Sequence, residues 1–205
     1  MSDQKWIALS FDDGPNTKIT PQVLDLLEKY GVVATFFVEG QYITEETIPV
    51  MKRALSLGCR YENHSFSHQQ MAEMGAELIA REIRETDERI IAVTGRKPLF
   101  FRPPFISVSE KLFASVDKTF ICGFDAEDWV PMVSAEERAK RILSKARTGG
   151  ITLLHDMEGN DKTVEALDTI IPALLAEGYK FVTVEEIFRL MQITPKKGTL
   201  YSYAE

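Results

Sequence analysis

Residues 6–15 read Trp-Ile-Ala-Leu-Ser-Phe-Asp-Asp-Gly-Pro, and this stretch decides the fold. Trp6–Phe11 is a short apolar run of strand length. It breaks at once into two carboxylates and the turn-forming pair Gly14-Pro15. The same layout recurs down the chain. Ala34–Val38, Arg60–Glu62, Leu99–Phe101, Thr119–Phe124, Ile151–Leu154 and Lys180–Val182 are further strand candidates of the kind that suits a parallel sheet covered on both faces.

Helical patterns fill the intervals. Pro21–Tyr30 starts with Thr20 as N-cap and stops at Gly31, and Ile48–Leu57 stops at Gly58. Ala76–Val93 sets Leu78, Ile79, Ile83, Ile90 and Val93 near helical spacing. Ser134–Arg147 opens with the capping pattern Ser134-Ala135-Glu136-Glu137, and Thr163–Ala176 and Val184–Met191 complete the set. Strands alternating with helices predict an α/β fold of βα units. One domain over residues 1–193 is expected, with residues 194–205 as a C-terminal tail that leaves the last helix along the surface.

The 205 residues fit a single core, and 44% of them are hydrophobic. With 31 acidic and 24 basic side chains the net charge is -7, which argues against a nucleic-acid partner. No apolar run is long enough to span a bilayer, and the first residues lack the layout of a signal peptide, so the chain as it stands reads as cytoplasmic. Cys59 and Cys122 stand far apart, in no CxxC pattern, and are expected to be free thiols.

Each polar cluster follows a strand: Asp12-Asp13, His64-Ser65-Phe66-Ser67-His68, Arg102-Pro103-Pro104-Phe105, Asp125-Ala126-Glu127-Asp128-Trp129 and His155-Asp156. In a barrel of parallel strands these segments meet at the C-terminal rim. His64 and His68 are four residues apart, so a helical turn would put both imidazoles on one face, as for two nitrogen ligands of one metal. Read alone, the pair could equally be surface or capping histidines. Asp12-Asp13 could be only a turn. Alternatively, one carboxylate binds a cation that relieves the repulsion between them, and the other is left as a base. Two histidines and one carboxylate leave coordination open for water, the pattern of a catalytic site.

Taken in order, these motifs resemble the polysaccharide deacetylases of the NodB-homology type, carbohydrate esterase family 4. The likeness runs from about Trp6 to Met191. It rests on Ser10–Pro15, Ala34-Thr35-Phe36-Phe37, Asn63–His68, Phe101–Phe105, Asp125–Trp129 and Leu153–Asp156. The resemblance implies a distorted (β/α) barrel of about seven parallel strands. It implies a hydrolase that removes acetyl groups from an N-acetylated glycan of chitooligosaccharide or peptidoglycan type, by cleaving linear amides. By similarity, Asp13, His64 and His68 bind a divalent ion, zinc by preference, with cobalt or another first-row ion as alternatives. Asp12 is the base, held by Arg102. Phe105 offers its backbone N–H to the oxyanion, Asp128 orients His155 as the acid, and Trp129 and Leu153 line the acetyl pocket.

Two departures bear on substrate choice. Phe105-Ile106 stands where Tyr-Gly is common, and Glu62 stands where a small residue is common. Rival readings are an acetylxylan O-deacetylase or another amidohydrolase of the same fold, a non-haem iron oxygenase built on the same ligand types, and a non-catalytic carbohydrate-binding domain.

Overall fold

The structure, a computed structural model, describes residues 4–205. Its elements, in chain order, are β1 (Lys5–Gly14), α1 (Ile19–Tyr30), β2 (Ala34–Val38), α2 (Ile48–Ser56), β3 (Arg60–Asn63), α3 (Ala76–Thr94), β4 (Phe100–Phe101), α4 (Glu110–Ser115), β5 (Thr119–Ile121), β6 (Phe124–Asp125), α5 (Ala135–Lys145), β7 (Gly150–His155), α6 (Asp161–Ala176), β8 (Tyr179–Phe181), α7 (Val184–Leu190) and β9 (Leu200–Tyr201). The strands form one curled sheet ordered β6-β7-β1-β2-β3-β4-β5-β9, with β8 also on β1. The strand pairs are parallel. This is the expected distorted (β/α) barrel, with nine strands among the described residues where about seven were anticipated.

The two-residue period of β1 sorts its side chains. Ile7, Leu9 and Phe11 join Leu24, Leu27 and Ile170 of α1 and α6 in the larger core cluster. Across that face the rings of Phe11, Phe36 and Tyr61 stack in succession, 5.4 and 5.5 Å apart. Ala8 faces the other way, toward Phe37, Ile151 and Phe188 of α7. Ser10 and Asp12 lie on Ala8's side of the strand, which therefore carries the polar groups of the site.

The structure redraws several boundaries. The run Thr119–Phe124 is two strands, because Gly123 has φ 88° and a Cβ there would sit 2.9 Å from the Thr152 carbonyl oxygen. Thr20 is not the cap of α1. The helix starts at Ile19, and the Asn16 side-chain oxygen accepts from the N–H groups of Lys18, Ile19 and Thr20. Ser134 does cap α5, accepting from the Glu137 N–H. Residues 110–115 form a helix that the apolar pattern does not announce.

The segment from Thr194 does not simply run along the surface. It returns as β9 beside β5. It then crosses to β7, where Ile151 N–H donates to Ser202 O and Ala204 N–H to Gly149 O. Tyr201 and Ala204 are buried. Among the described residues, no helix is long and apolar enough to cross a membrane. Cys59 and Cys122 are free thiols, the first buried.

Candidate active site

The C-terminal ends of β1, β3, β4, β6 and β7 deliver the polar clusters to one rim. There Asp12, Asp13, His64, His68 and His155 face a cavity of about 510 Å³, walled on its apolar side by Phe105, Ile106, Trp129 and Leu153. Asp12 and His155 are direct neighbours in the β1–β7 register.

Asp13, His64 and His68 place one carboxylate oxygen and two ring nitrogens within 4.8 Å of one another. Asp13 Oδ1 lies 3.3 Å from His64 Nε2 and 3.5 Å from His68 Nε2. It is buried, and no donor reaches it in hydrogen-bond geometry. Burial opposes the charge on Asp13, but the attraction of His64, then of His155 and His68, outweighs it and holds the carboxyl at about 2. His64 Nδ1 lies 2.7 Å from the Arg102 carbonyl oxygen. A carbonyl only accepts, so Nδ1 carries the hydrogen, and Nε2 is the atom turned to Asp13. An orphaned buried carboxylate oxygen facing two imidazole nitrogens is a donor set that a divalent cation completes.

The histidine pair does not sit on a helix, as the four-residue spacing had suggested. Residues 64–68 form a loop in which Ser65 and His68 adopt left-handed φ of 68° and 53°. Three groups fix that loop. Asn63 Oδ1 accepts from Ser65 N–H, Ser65 Oγ accepts from His68 N–H, and Glu82 of α3 accepts from the Phe66 and Ser67 N–H groups. Glu82 is a supporting residue that no motif signalled, because it belongs to a helix read only for its apolar stripe.

Asp12 is buried and receives Arg102 Nη1 at 2.5 Å. Arg102, itself fully buried, also donates to Ser10 Oγ at 2.8 Å and to Thr152 O at 3.3 Å, and it stacks 4.2 Å from the centre of the Phe37 ring. A charged group so far from water needs such an enclosure. Asp12 Oδ2 is 3.8 Å from His64 Nε2, so this carboxylate sits beside the Asp13–His64–His68 cluster without joining it.

The turn that carries Asp13 is clamped by Asp156. Its N–H donates to Asp12 O, its carbonyl accepts from Asn16 Nδ2, and its Oδ2 accepts from Thr20 Oγ1. Its carboxylate leans so closely on Gly14 that a Cβ there would lie 2.6 Å from Oδ2. Sequence reasoning had no role for Asp156 beyond a turn or a supporting hydrogen bond.

On the far side of the cavity, His155 Nδ1 lies 2.7 Å from Asp128 Oδ1, and the His155 N–H donates to Asp128 Oδ2 at 2.8 Å. Burial pushes the His155 pKa down. The hydrogen bond and charge of Asp128, then the charges of Asp12 and Asp13, overcome it and raise the ring to about 9. Asp128 is fully buried and also accepts from Asn160 and Thr163, neither of which the motifs marked. Trp129 meets the His155 ring edge-on at 5.5 Å. Phe105, 67% exposed, meets the His68 ring edge-on at 4.7 Å. Phe105 and Ile106 both have left-handed φ, 58° and 52°. Glu62 does not crowd the histidine loop. It turns to β4 and accepts from the Leu99 and Phe100 N–H groups.

A family model for polysaccharide deacetylase matches residues 1–120. The chain is 44% identical over 193 residues to a bifunctional xylanase/deacetylase of Pseudobutyrivibrio xylanivorans, covering 94% of this chain and 32% of that protein. It is 34% identical over 196 residues to a peptidoglycan-N-acetylglucosamine deacetylase of Bacillus cereus, covering 92% and 90%. A family 4 acetyl xylan esterase from Clostridium thermocellum, solved with a cobalt ion, superposes with a TM-score of 0.94 at 42% identity over 97% of this chain and 98% of that one. The chain spans about a third of the length of the first curated relatives it matches.

Proposed function

Because the chain belongs to the polysaccharide deacetylase family, we propose that it hydrolyses the acetamide of an N-acetylated glycan, of chitooligosaccharide or peptidoglycan type. The observation that carries this reading is the facing of a convergent Asp13–His64–His68 donor set, a tethered carboxylate and a raised-pKa imidazole across one cavity.

Asp13, His64 and His68 would hold the divalent ion, and zinc suits two imidazoles and a carboxylate with coordination left open. When bound, such an ion makes water acidic enough to attack near neutral pH and polarises a carbonyl oxygen. Asp12 takes the proton of the attacking water. Arg102 fixes its direction, leaving Oδ2 on the side of His64. The Phe105 backbone N–H offers a donor to the charge that develops on the carbonyl oxygen.

Cleaving an amide requires a proton on the departing nitrogen. The His155 ring is cationic at neutral pH because Asp128 outweighs its burial. With Nδ1 committed to Asp128, Nε2 is the atom that delivers the proton. Trp129 and Leu153 border the space for the acetyl methyl.

A second reading is favoured by the identity of the relatives above: a xylanase/deacetylase and an acetyl xylan esterase suggest an O-acetylated xylan. One experiment covers both. Acetate release is followed from N-acetylglucosamine oligomers, peptidoglycan fragments and acetylxylan after chelation and graded add-back of zinc or cobalt. Metal-restored turnover on the N-acetylated substrates is expected. Restoration confined to acetylxylan supports the second reading, and no restoration on any of them defeats both.

A further inference from the structure

Outside the residues already discussed, α5 sends one buried guanidinium, Arg138, toward the acid side of the site. Among the described residues, no carboxylate lies within salt-bridge reach of it. Its Nη1 donates to Asn160 Oδ1 at 2.6 Å and to Thr163 Oγ1 at 2.8 Å. Its Nε and Nη2 donate to the carbonyls of Val133 and Val130, at the far end of the loop that starts with Asp128-Trp129.

Those two side-chain partners are the ones that continue to Asp128. Thr163 Oγ1 lies 2.8 Å from Asp128 Oδ2, and Asn160 Nδ2 lies 3.2 Å from the same oxygen and 2.9 Å from the His155 carbonyl. We propose that Arg138 is a positioning residue for His155, acting by setting the direction of the Thr163 and Asn160 hydrogen bonds to Asp128.

The reason lies in donor bookkeeping. A guanidinium can only donate. Thr163 Oγ1 accepts from Arg138, so its single hydrogen is free to point at Asp128 Oδ2. Asn160 gives its carbonyl oxygen to Arg138, so its amide hydrogens face Asp128 and the His155 carbonyl. Asp128 Oδ2 then receives the Thr163 O–H, the Asn160 N–H and the His155 backbone N–H, so it acts there only as an acceptor. Its Oδ1 is left to the His155 ring, which orients the imidazole and commits Nδ1. Without Arg138, the hydroxyl and the amide can each turn over, and Asp128 loses its fixed acceptor role.

This inference rests on the reading of His155 as the acid. It predicts an asymmetry between substrates, because an amide needs its leaving nitrogen protonated and an activated ester does not. In Arg138→Met, turnover of an N-acetylglucosamine oligomer should fall about tenfold or more beyond any fall on 4-nitrophenyl acetate. Arg138→Lys, which keeps a cationic donor, should recover part of that gap. Thr163→Val should show the same asymmetry to a smaller degree, and it decides the matter if Arg138→Met does not fold. Equal losses on the two substrates in a folded variant, or undiminished amide turnover, would overturn the inference while the proposed function stands. Wild-type protein that cleaves no acetylated amide removes the premise and the inference together.

Discussion

His155 holds its charge through neighbours rather than through exposure, and that makes it separable by experiment. Replacing it with alanine leaves Asp12, Asp13, His64 and His68 in place, so His155→Ala should cost about 10²–10⁴ in kcat on an acetamide. The loss on an activated acetate ester should be less than about tenfold, and parallel assays on the two substrates check the split. Ile106 carries a different signature. A β-branched residue at φ 52° is strained by about 1–3 kcal/mol. Glycine relieves that strain at an entropic cost of about 1 kcal/mol. Ile106→Gly should therefore stabilise the protein by about 1 kcal/mol, read as a higher denaturant midpoint at unchanged slope. A lower midpoint would mean that the side chain's packing against the cavity outweighs its strain. At this scale the candidate groups were legible in the sequence, since Asp12, Asp13, His64, His68, Arg102, Asp128 and His155 each stand at the end of a strand or just after one. Their supports were not. Glu82, Arg138, Asn160, Thr163 and Asp156 act across the fold, and nothing local distinguishes such a residue from a solvated polar side chain.

Among the elements, the seam between β3 and β4 depends on a carboxyl group. Here β4 is only two residues long, and Glu62 extends its attachment by accepting the Leu99 and Phe100 N–H groups. Burial raises the Glu62 pKa to about 8, against those two hydrogen bonds. A carboxyl whose pKa is higher in the folded state than in the unfolded one binds more protons when folded. Its contribution to stability is thus complete at pH values below the ordinary glutamate range and declines as pH rises through about 8. Glu62→Gln keeps an acceptor without the titration. Its Tm relative to wild type should climb between pH 5 and 8, by an amount on the order of 1–3 kcal/mol in stability, and then level off. A difference that stays flat with pH would show Glu62 ionised in the fold. Element positions were readable because apolar runs and caps are local. The split of β5 from β6 and the cap on α1 were not, since Gly123 is bent by its approach to Thr152 and Asn16 reaches over its own turn.

Across the whole molecule, the curled sheet has two ends, β6 and β9, and the last residues stitch them together. Cys122 and Gly123 donate to Tyr201 O, while Ile151 donates to Ser202 O and Ala204 to Gly149 O. Removing residues 199–205 would take these partners from the Cys122, Gly123 and Ile151 N–H groups and the Gly149 carbonyl, and strip Tyr201 from the Phe188 ring, which it meets at 5.2 Å. The truncated chain should lose about 3 kcal/mol or more, seen as a lower urea midpoint. An unchanged midpoint would return this segment to the status of a tail. Short-range periodicity and turn chemistry set the strand-and-helix alternation, the candidate residue types and their common place at strand ends, so these could be read along the chain. Tertiary structure alone decided three further things: that the chain's end closes the sheet, that the histidines meet through a left-handed loop, and which buried partners set each group's charge and direction. Those outcomes rest on contacts between residues 15 to 92 positions apart, where a carboxylate's pKa or a hydroxyl's orientation is fixed by what surrounds it in space and leaves no local pattern to read.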